Sequence, residues 1–357
     1  MSAHRFRELD GLRGLAAVAV VISHLAGGYD SRYPGESVTP FNGGWGAFGV
    51  QLFFLISGYV ILMTASRATR PSDFVISRAS RLYPVYWMAV TWSIILSLLF
   101  NIPATAMSWA DRLANYTMVQ RWLFVPNVDE VYWTLAIEMQ FYVLILLLLA
   151  LTRCKLTGQV VRLTTLAWLT LSMVVVGVAG SHTRGLDPQL VATPYKLLLN
   201  LTLAEWAPLF SAGMFAYLSR TGDRRYRGLA LACAIVAVAF GWALHSWRYA
   251  LADLVVVTIF LVVVARPATP ILLNRPAQWY GRISYSLYIT HALTSIVVMH
   301  ALIPVIGRIG AMIVAFAVVS LVAAAFHTVG EVRGTAAAKA LLVRLRARWD
   351  RRGVKIA

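Results

Sequence analysis

The residues best placed to do chemistry in this chain stand in its first apolar segment. Arg13 occurs in Leu-Arg-Gly, and His24 follows eleven residues later in Val-Ile-Ser-His, with no charged side chain between them. At about 100° per residue, eleven residues return to within about 20° of the starting direction, so in a helix the two side chains share one stripe roughly 16 Å apart along the axis. Ionisable groups inside a bilayer are costly enough to mark candidate functional sites, and imidazole is the side chain that exchanges protons near neutral pH. Proton chemistry at His24, with a cation further down the same stripe, is the first expectation. The plain alternatives are a hydrogen-bonded core histidine, and an interfacial arginine paired to Glu8 or Asp10.

Four further sets of residues have types and spacings suited to a site. Arg78 and Arg81 lie three apart on one helix face just ahead of Pro84, where two guanidinium forks suit phosphate; a helix entrance on the inner side of a membrane attracts arginines in any case. Glu138 falls about six residues, or 9 Å, inside an apolar helix, with Thr134 a turn before it and Tyr142 a turn after. That stripe serves either catalysis or helix packing. His291 follows Ser284, Tyr285 and Tyr288 in a late apolar helix, suited to binding or to packing, and Glu205 and Asp253 are two more carboxylates within apolar runs. Glu205 is expected in a kinked helix beside Trp206 and Pro208, packing or lining a cavity.

The elements that must position these residues are membrane helices. The chain is 59% hydrophobic and 13% charged over 357 residues, with a mean hydropathy of +0.69 and recurring apolar runs of spanning length. This predicts an all-α integral membrane protein with about ten transmembrane helices: Gly11 to Tyr29, Phe48 to Ala65, Pro84 to Phe100, Tyr132 to Leu151, Leu163 to Gly180, Leu197 to Leu218, Leu229 to Leu244, Tyr249 to Val264, Ile283 to Ile303 and Ile309 to Phe326. With both termini cytoplasmic, the inner segments hold 24 Lys and Arg residues and the outer loops 7, so the net charge of +17 follows the positive-inside rule and calls for no nucleic-acid partner.

Residues 1–333 read as the membrane domain and 334–357 as a basic amphipathic cytoplasmic tail, with Leu341, Leu342, Leu345 and Trp349 at helical spacing for the inner leaflet. The first segment is expected to stay in place, since it lacks a small-residue cleavage site. The long loop Asn101 to Val131 is expected to hold a short helix over the outer mouth. Cys154 and Cys233 are the only cysteines, which predicts neither a disulfide framework nor a metal site.

Five ordered blocks then carry a resemblance. They are Phe6 to Ala17 with His24; Gly49 to Tyr59; Phe74 to Tyr86 with Arg78 and Arg81; Tyr132 to Tyr142 with Trp133 and Glu138; and Ile283 to His291. Together they resemble the membrane-bound acyltransferase 3 family, multi-span proteins that acylate cell-surface sugars and some secondary metabolites. The resemblance implies that His24 is the catalytic imidazole with Glu138 as its partner. It also implies that Arg13, Arg78 and Arg81 hold acyl-CoA, and that Asp10, Trp133, Tyr142, Tyr288 and His291 support the site or bind acceptor.

The implied activity is O-acyl transfer, foremost acetyl transfer, from cytosolic acetyl-CoA to a hydroxyl of a carbohydrate, with the coenzyme as substrate and no permanently bound cofactor. The implied setting is the cytoplasmic membrane. Three departures stand out: Gln51 replaces the usual acidic residue, Glu331-Val332-Arg333 stands where the family has Glu-x-Pro, and no extracellular SGNH-type domain is expected after the last helix. Transfer would then finish in the membrane domain or pass to another protein. The competing readings are a small hydrophobic acceptor such as a macrolide, and a proton-coupled transporter or flippase using His24, Glu138, Glu205 and Asp253 as a relay.

Overall fold

The computed structural model describes residues 6–35, 41, 43–100, 102, 107–184, 193–266 and 269–353, and among these no strand occurs. Residues 1–5 of the expected membrane domain and 354–357 of the expected tail lie outside them. Helix α1 (Arg7–Ser23) passes through a π-helical turn (His24–Gly28) into α2 (Tyr29–Arg32). A 3-10 turn (Gly44–Phe48) leads into α3 (Gly49–Ala65), followed by α4 (Pro71–Leu99), the short α5 (Trp109–Asn115), α6 (Tyr132–Leu151) and α7 (Gly158–Thr183). Next come α8 (Pro194–Thr202), α9 (Ala207–Thr221), α10 (Tyr226–Leu244), α11 (Trp247–Ala265), α12 (Pro270–Leu273) and α13 (Arg275–Phe326). A π-helical stretch (His327–Gly334) and α14 (Thr335–Gly353) end the chain.

Eight helices among the described residues are long and apolar enough to cross a membrane. The expected span Leu197 to Leu218 is not among them, because it is broken rather than kinked. Leu203 takes a left-handed conformation (φ 52°, ψ 28°) after α8, and α9 starts again at Ala207 with Pro208 in its first turn. The carbonyls that the break frees are not left bare. Gln140 Nε2 donates to the oxygens of Asn200 (3.0 Å) and Leu201 (2.7 Å), and Trp168 Nε1 donates to that of Thr202 (2.8 Å). The expected spans Ile283 to Ile303 and Ile309 to Phe326 both fall in α13. Its 52 residues would measure about 78 Å if straight, far beyond a hydrocarbon core of about 30 Å, and the backbone departs from helix at Gly307 (φ 71°, ψ 172°), just after Pro304.

The chain forms two compact units. Unit 1 comprises Met1–Val20, Trp45–Arg67 and Trp133–Gly281, and unit 2 comprises Val21–Gly44, Ala68–Tyr132 and Arg282–Ala357. In unit 1, α3 and α9 touch backbone to backbone: a Cβ on Gly58 would strike the Phe210 carbonyl oxygen, and one on Gly213 the oxygen of Leu55. Small residues permit this approach, which membrane helices use because dispersion replaces the hydrophobic effect there. Phe141 stacks on Phe210 (centroids 4.2 Å apart) and Phe54 packs against both Phe210 and Trp206.

In unit 2 the apolar contacts centre on Leu96, Ile102, Leu293 and Ile296, while Trp92 Nε1 donates to Thr294 Oγ1 (2.9 Å) across α4 and α13. The short helix expected in the long loop is α5, started by Ser108, which accepts from the Asp111 amide. Asn115 then ties the loop together, donating to the carbonyls of Asp111 and Pro126 and accepting from the Val128 amide. The tail helix α14 lies along the start of α4, where Arg346 pairs with Asp73 and Arg70 with Asp350 (3.0 Å). Leu341, Leu345 and Trp349 stay exposed on it.

Candidate active site

Of the ten site residues expected from the sequence, five fall in each unit. Asp10, Arg13, Trp133, Glu138 and Tyr142 belong to unit 1; His24, Arg78, Arg81, Tyr288 and His291 belong to unit 2.

Unit 2 brings two of its five together. The rings of His24 and His291 lie 4.8 Å apart, inclined at 39°, although 267 residues separate them in sequence. His24 opens the π-helical turn, a local widening of the helix that recurs at functional sites. His291 is fully buried in α13, with the Tyr288 ring 5.9 Å away. Its Nδ1 faces two main-chain oxygens, of Tyr288 at 2.8 Å and Leu287 at 3.2 Å, so Nδ1 carries the hydrogen and Nε2 keeps its lone pair. Neither the Nε2 of His291 nor that of His24 has a hydrogen-bond partner among the described residues. Two buried imidazole nitrogens left unpaired side by side leave polar capacity for a ligand that brings its own hydrogen-bonding groups.

The carboxylate beside His24 is Glu130, one of the loop acids. Its Oε1 lies 3.8 Å from His24 Nε2, and its Oε2 lies 3.5 Å from Arg32 Nη2. The neighbouring Asp129 anchors that end of the loop. It is fully buried and accepts from the amides of Val131 and Leu293 (3.3 Å each) and, at 3.5 Å, from Ser93 Oγ. Burial, reinforced by the charge of Glu130, pushes the Asp129 carboxyl up to about 7. Arg308, placed just after the Gly307 break, fixes the turn that carries His24. Its Nη2 donates to the oxygens of Ala26 (3.2 Å) and Leu25 (3.4 Å), its Nη1 bonds Asp30 (2.8 Å), and its guanidinium covers the Tyr29 ring at 4.9 Å.

Glu130, Arg32, Asp129 and Arg308 carried no role in the sequence reading. The adjacent pair Asp129-Glu130, immediately before the Tyr132 block, was the signal available for two of them. Nothing in the spacing of Arg308 points back to residues 25–30, because that contact is made by folding alone.

The other expected residues have identifiable surroundings. Arg78 is buried and Arg81 half-buried in α4; Arg81 lies close enough to Glu331 to attract it electrostatically. Glu331, for which no role was expected, accepts from the amide (3.0 Å) and hydroxyl (2.6 Å) of Ser286 and lies 3.4 Å from His327 Nδ1. In unit 1, Glu138 Oε1 accepts from Ser57 Oγ and Tyr142 Oη, each at 2.7 Å, which realises the expected polar stripe and ties α6 to α3. Trp133 packs on Trp206 (5.8 Å), and Asp10 and Arg13 share the half-buried face of α1.

A family model described as an acyltransferase domain matches residues 6–328. The chain is 26% identical to the peptidoglycan O-acetyltransferase OatA of Listeria monocytogenes over 330 residues, covering 80% of this chain and 48% of that protein. It is 28% identical over 320 residues to the O-acetyltransferase OatA of Staphylococcus aureus, covering 79% and 49%. It thus spans about half the length of these curated relatives. A putative acetyltransferase of Acidianus two-tailed virus is 24% identical over 324 residues, covering 86% of this chain and 87% of that one. No solved structure matches significantly.

Proposed function

The chain belongs to the acyltransferase 3 family, and from that premise we propose that it is an integral-membrane O-acetyltransferase, moving acetyl from acetyl-CoA to a hydroxyl of a cell-surface or exported carbohydrate. The observation that carries the reading is the pair His24 and His291, with both Nε2 atoms buried and unpaired and Glu130 facing one of them.

His24 acts as general base. Its Nε2 takes the proton of the acceptor hydroxyl as the oxygen forms a bond to the thioester carbonyl carbon; the C–S bond then breaks, and the departing thiolate receives that proton. Glu130 stabilises the imidazolium formed in between, the part a third group plays in a nucleophile-and-base pair. His291, its Nδ1 hydrogen committed to main-chain oxygens, uses Nε2 to accept from a neighbouring hydroxyl of the carbohydrate and so orients the acceptor. Arg78 and Arg81 supply guanidinium groups for the phosphates of the coenzyme. Glu138, held by Ser57 and Tyr142, supports the site or the acceptor.

The charge distribution supports ten crossings with both termini on the cytoplasmic face, with the two parts of α13 on either side of Gly307 and the broken α8–α9 segment completing the count. The test is acetyl transfer from labelled acetyl-CoA by the purified chain, with His24→Ala and His291→Ala beside the wild type. Loss of transfer by about 100-fold or more in His24→Ala, with folded protein recovered, is the expected result. Undiminished transfer removes His24 from the chemistry.

A further inference from the structure

Unit 1 holds a second group of buried ionisable side chains, away from the imidazole pair in sequence and in composition. Glu205, in the turn between α8 and α9, bonds His245 through Oε1 (2.8 Å to Nε2) and meets the buried ammonium of Lys196 through Oε2 (3.8 Å). Lys196 is 2% exposed. The His245 ring stacks on Tyr249 at 4.4 Å. Glu205, His245, Tyr249, Gln51 and Asp253 line a cavity of about 20 Å3, room for one water molecule. Asp253 is 6% exposed, and its Oδ1 has no hydrogen-bond partner among the described residues.

The charges limit what this cavity can hold. Lys196 and Glu205 compensate each other, which leaves His245 and Asp253. In the neutral cluster these two hold one proton between them, as imidazolium and carboxylate or as imidazole and carboxylic acid. A net charge at this depth is costly, so the shared proton is the natural occupant. The groups that face Asp253 are Gly241 and His245 from α10 and its end, Glu205 from the α8–α9 turn, Gln51 from α3 and its own-helix Tyr249; α9 adds only the apolar Leu209. From beyond the cavity, Arg184 Nε donates to the His245 carbonyl (3.3 Å). A metal cation would meet the adjacent ammonium of Lys196, which opposes it.

We propose that this cluster is a proton-binding site, filled through the cavity water and placed at the built break between α8 and α9. A hydronium in the cavity loses one O–H bond, Asp253 Oδ1 gains it, and a neutral water remains to accept from the new carboxylic acid. The occupant is thus a proton, held beside the α8–α9 break whose freed carbonyls are capped by Gln140 and Trp168. Acetyl transfer from a thioester to a hydroxyl consumes and releases no net proton, so this site lies outside the proposed reaction and gives the protein a separate response to pH.

The test is infrared difference spectroscopy of the full chain in detergent between about pH 5 and about pH 9, following the C=O stretch of protonated carboxyl groups. Asp129→Asn is used as background, because Asp129 titrates in the same range. The expected result is one remaining pH-sensitive carboxyl signal, lost in Asp253→Asn and moved by about one pH unit or more in His245→Gln. Survival of that signal in Asp253→Asn, or absence of any such signal in the background protein, overturns the proposal. Should Asp253→Asn not fold, Gly241→Ala keeps every ionisable group while pushing a methyl against Asp253 Oδ2, and an unmoved midpoint there also overturns it. Replacing sodium by choline at constant ionic strength should leave the signal in place. Displacement by sodium identifies a metal-cation site instead.

Discussion

Glu130 lies 3.8 Å from Nε2 of His24, while Glu138 is committed to Ser57 and Tyr142. The carboxylate that faces the candidate base within unit 2 comes from a loop. A charge at this distance stabilises an imidazolium without taking its hydrogen-bonding position. Glu130→Gln should therefore lower the acetyl-transfer kcat by roughly 10- to 100-fold with little change in acceptor KM, a smaller loss than that of His24→Ala. Equal rates for Glu130→Gln and wild type would remove it from the mechanism.

Arg308 gives the π-helical turn its shape by binding the oxygens of Leu25 and Ala26 and the carboxylate of Asp30. Arg308→Ala leaves those acceptors without a donor, at a cost of about 2–4 kcal/mol, and should lower the thermal midpoint in detergent. Arg308→Lys restores the charge but not the fork, and should recover only part of the loss.

The Asp129 carboxyl, raised to about 7 in the folded chain against about 4 in the unfolded one, makes stability depend on pH. Below about pH 4 both states are protonated. Between about 4 and 7 the folded state holds a proton that the unfolded state has released, so the contribution of this group to stability falls as pH rises, and above about 7 it is constant. Comparing denaturation across that window in wild type and Asp129→Asn should show a flatter profile in the variant.

Crowding at the α3–α9 contact can be read directly. Gly213→Ala puts a methyl against the Leu55 oxygen and should cost about 1–3 kcal/mol. Gly177→Ala, in α7 with nothing within 4 Å, should be neutral or stabilising by up to about 1 kcal/mol. Thermal melts of the two variants side by side test whether that backbone contact is as close as described.

If Arg78 and Arg81 bind the coenzyme's phosphates, replacing both by Gln should raise the apparent KM for acetyl-CoA about tenfold or more with less effect at saturation. An unchanged KM would assign Arg81 to its electrostatic contact with Glu331.

The family and the run of apolar helices were legible in the sequence because both are local: motif blocks and spanning stretches need only neighbouring residues to be recognised. His24 and His291 were legible as candidates for the same reason, each inside its own block. Their 4.8 Å approach was not, since hydropathy says nothing about which helices become neighbours. The sixth expected span read as a single kinked helix because most of Leu201 to Phe210 is apolar; the full break depends on Gln140 and Trp168, distant in sequence, capping the carbonyls it frees. The sequence by itself determined an all-helical membrane chain of the acyltransferase 3 family and the residue types available for its chemistry. It took the folded chain to show that Glu130 faces His24, that Arg308 shapes the turn holding that histidine, and that Glu205, His245 and Asp253 share one cavity. The physical reason is that covalent order fixes periodicity and composition, whereas partners for buried charges are chosen by packing between segments far apart in the chain.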